Sequence, residues 1–451
     1  DAGLDMDMVS EGLLTTLSKS VEEGKITEQQ IDAACRRILK VKFQLGLFDD
    51  PYKYCDADRA KQEVFTEANR AEARNAATQS FVLLKNDGNI LPIKKSGTIA
   101  LVGPLADAKE NMTGTWSVAA RFSESISVRA GLEKAVGTQA KVVYAKGSNL
   151  DEDETLEANS TMFGKSLHRD KRSATELREE AVRIARNADV IVAAVGEAAE
   201  MSGEAASRTN IEVPATQREL LQALLKTGKP VIVVLFTGRP LALSWEHKNV
   251  PAILNVWFGG SEAGDAIADV LFGDVNPSGK LSATFPQNVG QVPIYYAHKN
   301  TGRPLRGPWF QKFQSNYLDV SNEPLYPFGY GLSYTTFEYS DLALNKSEMT
   351  QADSLIVSVD ITNTGTRDGA EVVQLYIQDV VGSVTRPVKE LKNFQKLLFK
   401  AGEKKTVTFT VSAKDLSFYN RDLQWVAEPG EFKVYVGGNS RDVKEAMFTL
   451  K

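Results

Sequence analysis

The feature that most constrains this chain is an unbroken apolar run over residues 190–195, Val-Ile-Val-Ala-Ala-Val, which ends at Gly196 and Glu197. A continuous run rich in β-branched residues and bounded by glycine predicts a strand that is covered on both faces, as in parallel sheets. Ligands of open α/β sheets bind outside the carboxyl ends of such strands. The polar segment 197–210 is therefore where chemistry is first expected.

Similar apolar segments recur through the middle of the chain and alternate with helical patterns. This alternation predicts an α/β layer with a mostly parallel sheet, right-handed crossovers and helices on its faces. The segments expected as strands are residues 81–84, 98–102, 142–144, 190–195, 231–236 and 252–257. The segments expected as helices are residues 216–227 and 261–272.

The two ends of the chain have other patterns. Residues 9–48 predict two helices, with Gly24 ending the first and a capping box from Thr27 to Gln30 opening the second. Short alternating runs at residues 355–361, 372–377, 405–411 and 432–436 predict an all-β sandwich. Residues 291–340 are rich in Pro, Gly, Tyr and Phe and predict an extended connector, in which residues 326–337 form a packed belt.

Composition excludes several classes of protein. The 451 residues suggest roughly three domains, at about 150 residues each. A formal net charge of -5 and scattered lysines and arginines disfavour nucleic acid as a partner. No window approaches the roughly 18 consecutive apolar residues of a membrane span. Cys35 and Cys55 either pair or stay reduced, and the three histidines lie too far apart to predict a metal site.

Three acids follow the strand at 190–195. Glu197 is expected to bind nearby backbone or Arg208 and so to stiffen the loop, and Glu200 is expected to be solvated surface. Glu204 follows Gly203, which would let the backbone approach a ligand. A lone loop glutamate more often caps a turn or forms an ion pair than takes part in catalysis.

The pKa of Glu204 depends on its neighbours, for which the sequence offers two opposite expectations. Partial burial against an apolar side chain such as Met201 would raise the pKa and suit the carboxyl group to proton donation. Arg208 would instead hold the group ionised. A dinucleotide site is disfavoured, because neither Gly103 nor Gly196 begins a Gly-x-Gly-x-x-Gly pattern.

Several ordered motifs along the chain resemble glycoside hydrolase family 3, and more narrowly its bacterial periplasmic branch. The resemblance runs through essentially all 451 residues. The motifs are Gly-Glu-x-x-x-x-x-Gly-Glu204-Ala-x-Ser-Arg208, Gly238-Arg-Pro-Leu241, Asn276-Pro-Ser-Gly-Lys-Leu281, Tyr326-Pro-Phe-Gly-Tyr-Gly-Leu-Ser-Tyr334-Thr-Thr-Phe337 and Arg386-Pro-x-x-x-Leu391.

The resemblance implies a three-part enzyme made of a (β/α)8 barrel, an α/β sandwich domain and a fibronectin type III-like domain. Residues 1–79 are then the carboxyl-terminal remnant of the barrel with a linker. Residues 80–290 are the α/β sandwich domain, residues 291–340 the connector, and residues 341–451 the fibronectin type III-like domain. The activity implied is that of a periplasmic, retaining exo-β-glucosidase that acts on β-glucosides or oligosaccharides without a metal or organic cofactor.

Retaining glycosidases use two carboxylates about 5–5.5 Å apart, one as nucleophile and one as general acid/base. By motif position the resemblance makes Glu204 the acid/base. It places the nucleophilic aspartate upstream of residue 1, so that an amino-terminal barrel segment or a second chain would supply it. A homodimer is left open.

Trp116 is the aromatic candidate for substrate binding. It follows the strand at 98–102, so we expect it at the same sheet edge as Glu204, where it would offer a platform to a sugar ring. Met201, Arg208 and Asp5 are the other expected substrate contacts. Two alternatives remain: β-xylosidase or arabinofuranosidase specificity, and a non-catalytic scaffold or carbohydrate-binding fragment. The remaining tryptophans are expected to be core or interdomain anchors; they are Trp245, Trp257, Trp309 and Trp425.

Overall fold

A computed structural model describes residues 3–117, 119–160, 168–305, 307 and 309–451. The chain divides into two compact units, Asp1–Asn69 and Arg70–Lys451. The domain limits expected from the sequence remain predictions. The described residues contain no closed barrel.

The first unit is helical throughout its regular structure. Its helices are α1 (Gly12–Glu22), α2 (Glu28–Gln44) and α3 (Arg59–Glu63). The capping box is confirmed: the Gln30 backbone N–H donates to Thr27 Oγ1 at 3.3 Å, and the Thr27 N–H donates to Gln30 Oε1 at 2.8 Å. Gly24 follows the end of α1 with a φ of 69°. None of the described residues 3–69 is buried.

Helix α4 (Glu67–Ser80) leads into the α/β layer. The strands of this layer are β1 (Val82–Asn86), β2 (Gly97–Val102), β3 (Ala140–Ala145), β4 (Val190–Gly196), β5 (Val231–Phe236) and β6 (Ala252–Asn255). Its helices are α5 (Val128–Val136), α6 (Glu154–Asn159), α7 (Ala174–Arg186), α8 (Ala215–Leu225), α9 (Ser244–Asn249) and α10 (Ala263–Phe272). All six strand segments and both helical segments expected from the sequence are confirmed.

In the described chain these strands form one sheet in the order β1-β6-β5-β4-β2-β3, and every pairing is parallel except that of β1 with β6. Alternate residues of β4 enter opposite cores: Val192 packs on one face of the sheet, and Ile191 and Val195 pack on the other. Each such side chain contributes about 1.5–3 kcal/mol by burial. This two-sided burial explains the unbroken apolar run.

The chain reverses its direction across the sheet between β2 and β4. From β2 it goes outward to β3, then returns to the other side of β2 and continues through β4, β5 and β6. Such a switch point leaves a crevice outside the carboxyl ends of the two flanking strands. The loops after β2 and β4 leave the sheet at this switch point.

The belt at residues 326–337 packs on both neighbouring layers, as expected. Tyr330 Oη donates to the Leu84 carbonyl at 3.2 Å, and Tyr334 Oη donates to the Val270 carbonyl at 2.8 Å. On its other side, Gln374 Nε2 donates to the Gly329 carbonyl at 3.2 Å.

The remaining elements build a β-sandwich. They are β7 (Phe337–Tyr339), β8 (Ala343–Leu344), β9 (Glu348–Met349), β10 (Ser354–Asn363), β11 (Gly369–Asp379), β12 (Glu390–Phe399), β13 (Lys404–Ser412), α11 (Ala413–Leu416), β14 (Phe418–Tyr419), β15 (Trp425–Val426), β16 (Gly430–Gly437) and β17 (Val443–Leu450). One sheet has the order β13-β10-β7 with β8 also on β10, and the other has the order β12-β11-β16-β17-β9. Strands β14 and β15 pair only with each other within the described residues. The expected sandwich is confirmed.

The tryptophans outside the loop after β2 divide into two pairs. Trp245 and Trp257 pack against the core of the α/β layer, and Trp257 Nε1 donates to the Ser80 carbonyl at 3.2 Å. The prediction of an anchor is wrong for Trp309 and Trp425, which are 48% and 54% exposed.

Among the described residues, no helix combines the length and apolar character of a membrane span. The described chain also contains no group of His, Cys, Asp and Glu side chains arranged to hold a metal ion. Cys35 and Cys55 are both free thiols on the surface.

Candidate active site

The loop that carries Glu204 leaves the sheet at a close approach between two strand ends. Gly196 ends β4 with a φ of 123°, and a Cβ at this position would lie 2.0 Å from the carbonyl oxygen of Phe236 at the end of β5. Only glycine tolerates both the backbone conformation and the contact. The next residue, Glu197, is thereby directed beneath the loop.

Glu197 is fully buried and is bound on both carboxylate oxygens. Arg208 Nη1 donates to Oε1 at 2.8 Å, and Arg239 Nε lies 3.0 Å from the same oxygen. Thr237 Oγ1 donates to Oε2 at 2.8 Å. Buried charges need such partners, since their desolvation costs several kcal/mol. The expected pairing of Glu197 with Arg208 is confirmed.

Arg239 also binds the backbone of the loop. Its Nη2 donates to the Met201 carbonyl and, at 2.6 Å, to the Ala206 carbonyl. Beside it, a Cβ on Gly238 would overlap the Ser202 hydroxyl at 2.0 Å, so the loop backbone lies directly against residue 238. Both stems of the loop are therefore fixed to the end of β5.

The tip between these stems is Gly203-Glu204-Ala205. Gly203 and Ala205 have φ values of 113° and 55°, and the side chain of Glu204 is exposed. No described residue forms a hydrogen bond or ion pair with the Glu204 carboxylate. This carboxyl group stands exposed on a loop whose stems are fixed.

The expected partial burial of Glu204 against Met201 is wrong in this structure. Met201 is 3% exposed and lies in the core, where its Sδ accepts a 3.4 Å hydrogen bond from the Ala198 N–H. The side chain of Glu204 is exposed, whereas that of Met201 belongs to the core. Met201 as a substrate contact remains a prediction, as does Arg208, whose guanidinium is bound to Glu197.

The loop after β2 packs directly on the Glu204 loop. Asn111 Oδ1 accepts a 2.8 Å hydrogen bond from the Ala199 N–H, and Thr115 Oγ1 donates to Glu200 Oε2 at 2.9 Å. A Cβ on Gly203 would lie 2.4 Å from Thr115 Cγ2. Glu200 therefore bridges two loops, and the prediction that it is plain solvated surface is wrong.

Trp116 follows Thr115 and is 74% exposed. Its expected position at the same sheet edge as Glu204 is confirmed, because β2 and β4 are neighbours and Thr115 touches Gly203. An exposed indole and an exposed carboxyl group, each one residue from the contact between Thr115 and Gly203, suit a ligand that has both an apolar face and polar oxygens.

Asp5 belongs to the first unit. Arg37 Nε and Nη2 donate to its carboxylate at 2.6 and 2.5 Å, and these hydrogen bonds lower the pKa of Asp5. The group around Glu204 is built from residues of the second unit, and the role of Asp5 as a substrate contact remains a prediction.

Sequence reasoning missed three residues that shape the site: Arg239, Asn111 and Thr115. Arg239 lies in the Gly238-Arg-Pro motif, three residues beyond β5, and a cation at that distance from a buried strand was the available signal. Asn111 and Thr115 act across the loop interface, which no periodicity in the sequence reports.

A mostly parallel α/β layer, which presents Glu204 on a loop at its switch point, is joined through a packed belt to a β-sandwich. The chain belongs to glycosyl hydrolase family 3. The C-terminal domain of that family matches residues 81–334, and a fibronectin type III-like domain matches residues 371–440.

Individual relatives agree with this membership. The chain is 48% identical to the periplasmic β-glucosidase of Salmonella typhimurium and 38% identical to a β-xylosidase of Formosa agariphila. All of this chain is covered in both alignments, with 59% and 60% of the relatives. A mutant β-glucosidase of Listeria innocua, solved in complex with laminaribiose, superposes with a TM-score of 0.88 at 40% identity. That superposition covers all of this chain and 59% of the Listeria protein.

Proposed function

We propose that this chain is part of a retaining exo-β-glucosidase that removes terminal non-reducing β-D-glucosyl residues and acts in the periplasm. The observation that carries the proposal is Glu204, an exposed carboxyl group with no hydrogen bond or ion pair to any described residue, on a fixed loop that packs against the loop of Trp116. The names of the Salmonella and Listeria relatives support the activity, and the Salmonella name supports the compartment.

In the proposed reaction Glu204 is the general acid/base. An aspartate outside these 451 residues attacks the anomeric carbon as Glu204 donates its proton to the departing glycosidic oxygen. The ionised Glu204 then takes a proton from water, which displaces the aspartate and releases glucose with its β configuration retained. Neither step uses a metal or organic cofactor.

The location of the nucleophile outside this chain is tested by comparing two proteins. One is the 451-residue chain alone. The other, called the barrel-joined enzyme, is the same chain joined at its amino terminus to a family 3 barrel segment. We expect the barrel-joined enzyme to hydrolyse 4-nitrophenyl β-glucoside and the chain alone not to do so. Hydrolysis by the chain alone would show that the nucleophile lies within these 451 residues. Glucan binding without hydrolysis in both proteins would favour the non-catalytic scaffold.

The role of Glu204 is tested with Glu204→Ala in the barrel-joined enzyme. Loss of the general acid should lower kcat/KM about 10²–10⁴-fold for a poor leaving group such as the sugar of laminaribiose. A 2,4-dinitrophenyl leaving group needs no proton, so its kcat/KM should change little. Azide should restore turnover on this substrate by replacing water and yield β-glucosyl azide.

The control for this test is Glu219→Ala, which removes an exposed carboxyl group on α8 that pairs with Arg178. It should leave kcat/KM for both leaving groups unchanged, with no effect of azide. Uniform loss and no rescue in Glu204→Ala would remove Glu204 from the reaction.

A second specificity, for β-xylosides, is favoured by the Formosa agariphila relative named a β-xylosidase. Parallel measurement of kcat/KM for 4-nitrophenyl β-glucoside and β-xyloside with the barrel-joined enzyme decides between the two sugars. We expect the glucoside to be preferred.

A further inference from the structure

Arg239 contacts the Glu204 loop on both sides of its tip. One guanidinium nitrogen, Nη2, binds the carbonyl of Met201, three residues before Glu204, and the carbonyl of Ala206, two residues after it. The tip is thereby held at both ends by a single cation that enters from the neighbouring strand.

The position of that cation is itself fixed. Arg239 Nε lies 3.0 Å from Glu197 Oε1, and its backbone N–H donates to Thr237 Oγ1 at 3.1 Å. The side chains of Arg239 and Glu197 are 20% and 0% exposed, so the ion pair is little screened by water. At the far end of the loop, Arg208 Nη1 lies 2.8 Å from the same oxygen, Glu197 Oε1. Both arginines therefore bind the same buried carboxylate.

We propose that Arg239 is a positioning residue for Glu204, acting through the Met201 and Ala206 carbonyls, with Glu197 as its buried counterion. This inference rests on the proposed function, in which Glu204 donates the proton. Arg239 itself need not touch the substrate. Its planar fork is suited to the task because it can bind two carbonyl groups and a carboxylate at once, which a lysine ammonium cannot do in the same geometry.

A positioning role has a kinetic signature that a purely structural role lacks. A displacement of the acid by about 1 Å costs on the order of 10²-fold in rate, but only in steps that need its proton. Arg239→Lys in the barrel-joined enzyme should therefore lower kcat/KM for laminaribiose about 10–100-fold. For 2,4-dinitrophenyl β-glucoside the change should stay within about threefold.

The matched control is Arg218→Lys. Arg218 Nε lies 3.0 Å from Glu246 Oε1, and their side chains are 19% and 1% exposed, so this is an ion pair of the same kind and burial on α8 and α9. It forms no hydrogen bond or ion pair with residues 197–208 in the part of the chain that the structure describes. We expect Arg218→Lys to lower the midpoint of thermal unfolding and to leave both kcat/KM values unchanged.

A double variant distinguishes action through Glu204 from independent effects. In a Glu204→Ala background, Arg239→Lys should cause no further loss on laminaribiose, because the group that it positions is gone. Glu197→Gln, which keeps the side-chain shape and removes the counterion, should give the same selective pattern and serves if Arg239→Lys does not fold.

The outcomes separate the two proposals. Equal losses on both leaving groups, or additive losses in the double variant, would overturn the positioning role while Glu204 kept its azide rescue. If Glu204→Ala shows neither leaving-group dependence nor rescue, the proposed function fails first and the inference falls with it.

Discussion

At the scale of single residues, glycines decide where the carboxyl group of Glu204 points. Gly196 allows the backbone to approach the Phe236 carbonyl, and Gly203 allows it to lie against Thr115 with a φ of 113°. Met201 is consequently buried and Glu204 exposed, although the two are only three residues apart. The residue type at position 204 thus does not determine where its carboxyl group points. That orientation depends on the backbone conformations of the neighbouring residues.

Gly203→Ala should therefore damage both stability and activity. Alanine at position 203 would have to adopt a φ of 113°, and its Cβ would lie 2.4 Å from Thr115 Cγ2. We expect this strain to lower the free energy of unfolding by about 1–3 kcal/mol. We also expect a selective fall in kcat/KM for poor leaving groups, because the tip that carries Glu204 must move. Urea denaturation and kinetics of the barrel-joined enzyme measure the two effects.

Gly228→Ala is the control for strain without collision, since Gly228 has a φ of 73° and nothing within 4 Å of a new Cβ. It should cost about 1 kcal/mol and leave activity intact. Adding Thr115→Ser to Gly203→Ala removes Cγ2 and keeps the hydroxyl that binds Glu200. Failure of this second change to restore activity would contradict the steric explanation.

At the scale of elements, the sequence predicted strand positions far better than strand arrangement. The apolar runs at 190–195 and 231–236 mark β4 and β5 because burial on both faces leaves a direct trace in composition. The antiparallel pairing of β1 with β6 leaves no such trace, since strand direction depends on where the connecting chain goes.

In the candidate site, too, the sequence predicted the positions of residues better than their contacts. Position after a strand was enough to place Glu204 and Trp116 at one sheet edge. The bonds from Arg239 to the carbonyls of Met201 and Ala206 join residues 33 to 38 positions apart and involve the backbone of one partner, so no side-chain pattern could reveal them.

Close packing of α5 on α10 gives a prediction at this scale. A Cβ on Gly131 would lie 2.1 Å from the carbonyl oxygen of Gly264, so the two helix backbones touch. Gly131→Ala should lower the free energy of unfolding by about 1–3 kcal/mol, even though alanine favours helix by about 1 kcal/mol. Urea denaturation followed by circular dichroism measures the change.

Gly88→Ala, in the turn after β1, separates collision from backbone strain. Gly88 has a φ of 64°, a ψ of 14° and open space around a new Cβ, so we expect a loss of about 1 kcal/mol only. A Gly131→Ala protein as stable as the wild type would show that α5 can shift away from α10 at little cost.

At the scale of the whole molecule, burial is distributed unevenly along the chain. The second unit contains three hydrophobic cores, two on the faces of the α/β sheet and one between the sheets of the sandwich. Residues 3–69 contribute no buried residue. Because burial is the main source of stability, resistance to unfolding should follow the same distribution.

Two arginines of α4 form ion pairs within the second unit. Arg70 Nε lies 2.8 Å from Glu262 Oε1, and Arg74 binds Asp269 through two nitrogens, at 2.6 Å from Nε and 2.5 Å from Nη2. Glu262 and Asp269 are buried acids, so α4 covers charges that would otherwise lack partners. Opening α4 is therefore costly from residue 70 onward.

Limited trypsin digestion of the 451-residue chain should thus cleave first within residues 1–69 and leave a resistant fragment that begins near Arg70. Opening of the unburied segment needs little free energy, whereas cleavage inside α4 requires the ion pairs of Arg74 to break. Intact-mass measurement over time identifies the cut sites.

Arg74→Ala should move the first resistant boundary into the region after residue 74, and Arg178→Ala, which removes an exposed pair with Glu219, should leave the boundary unchanged. Equal rates of cleavage in the α/β layer and in residues 1–69 would mean that stability does not follow burial in this chain.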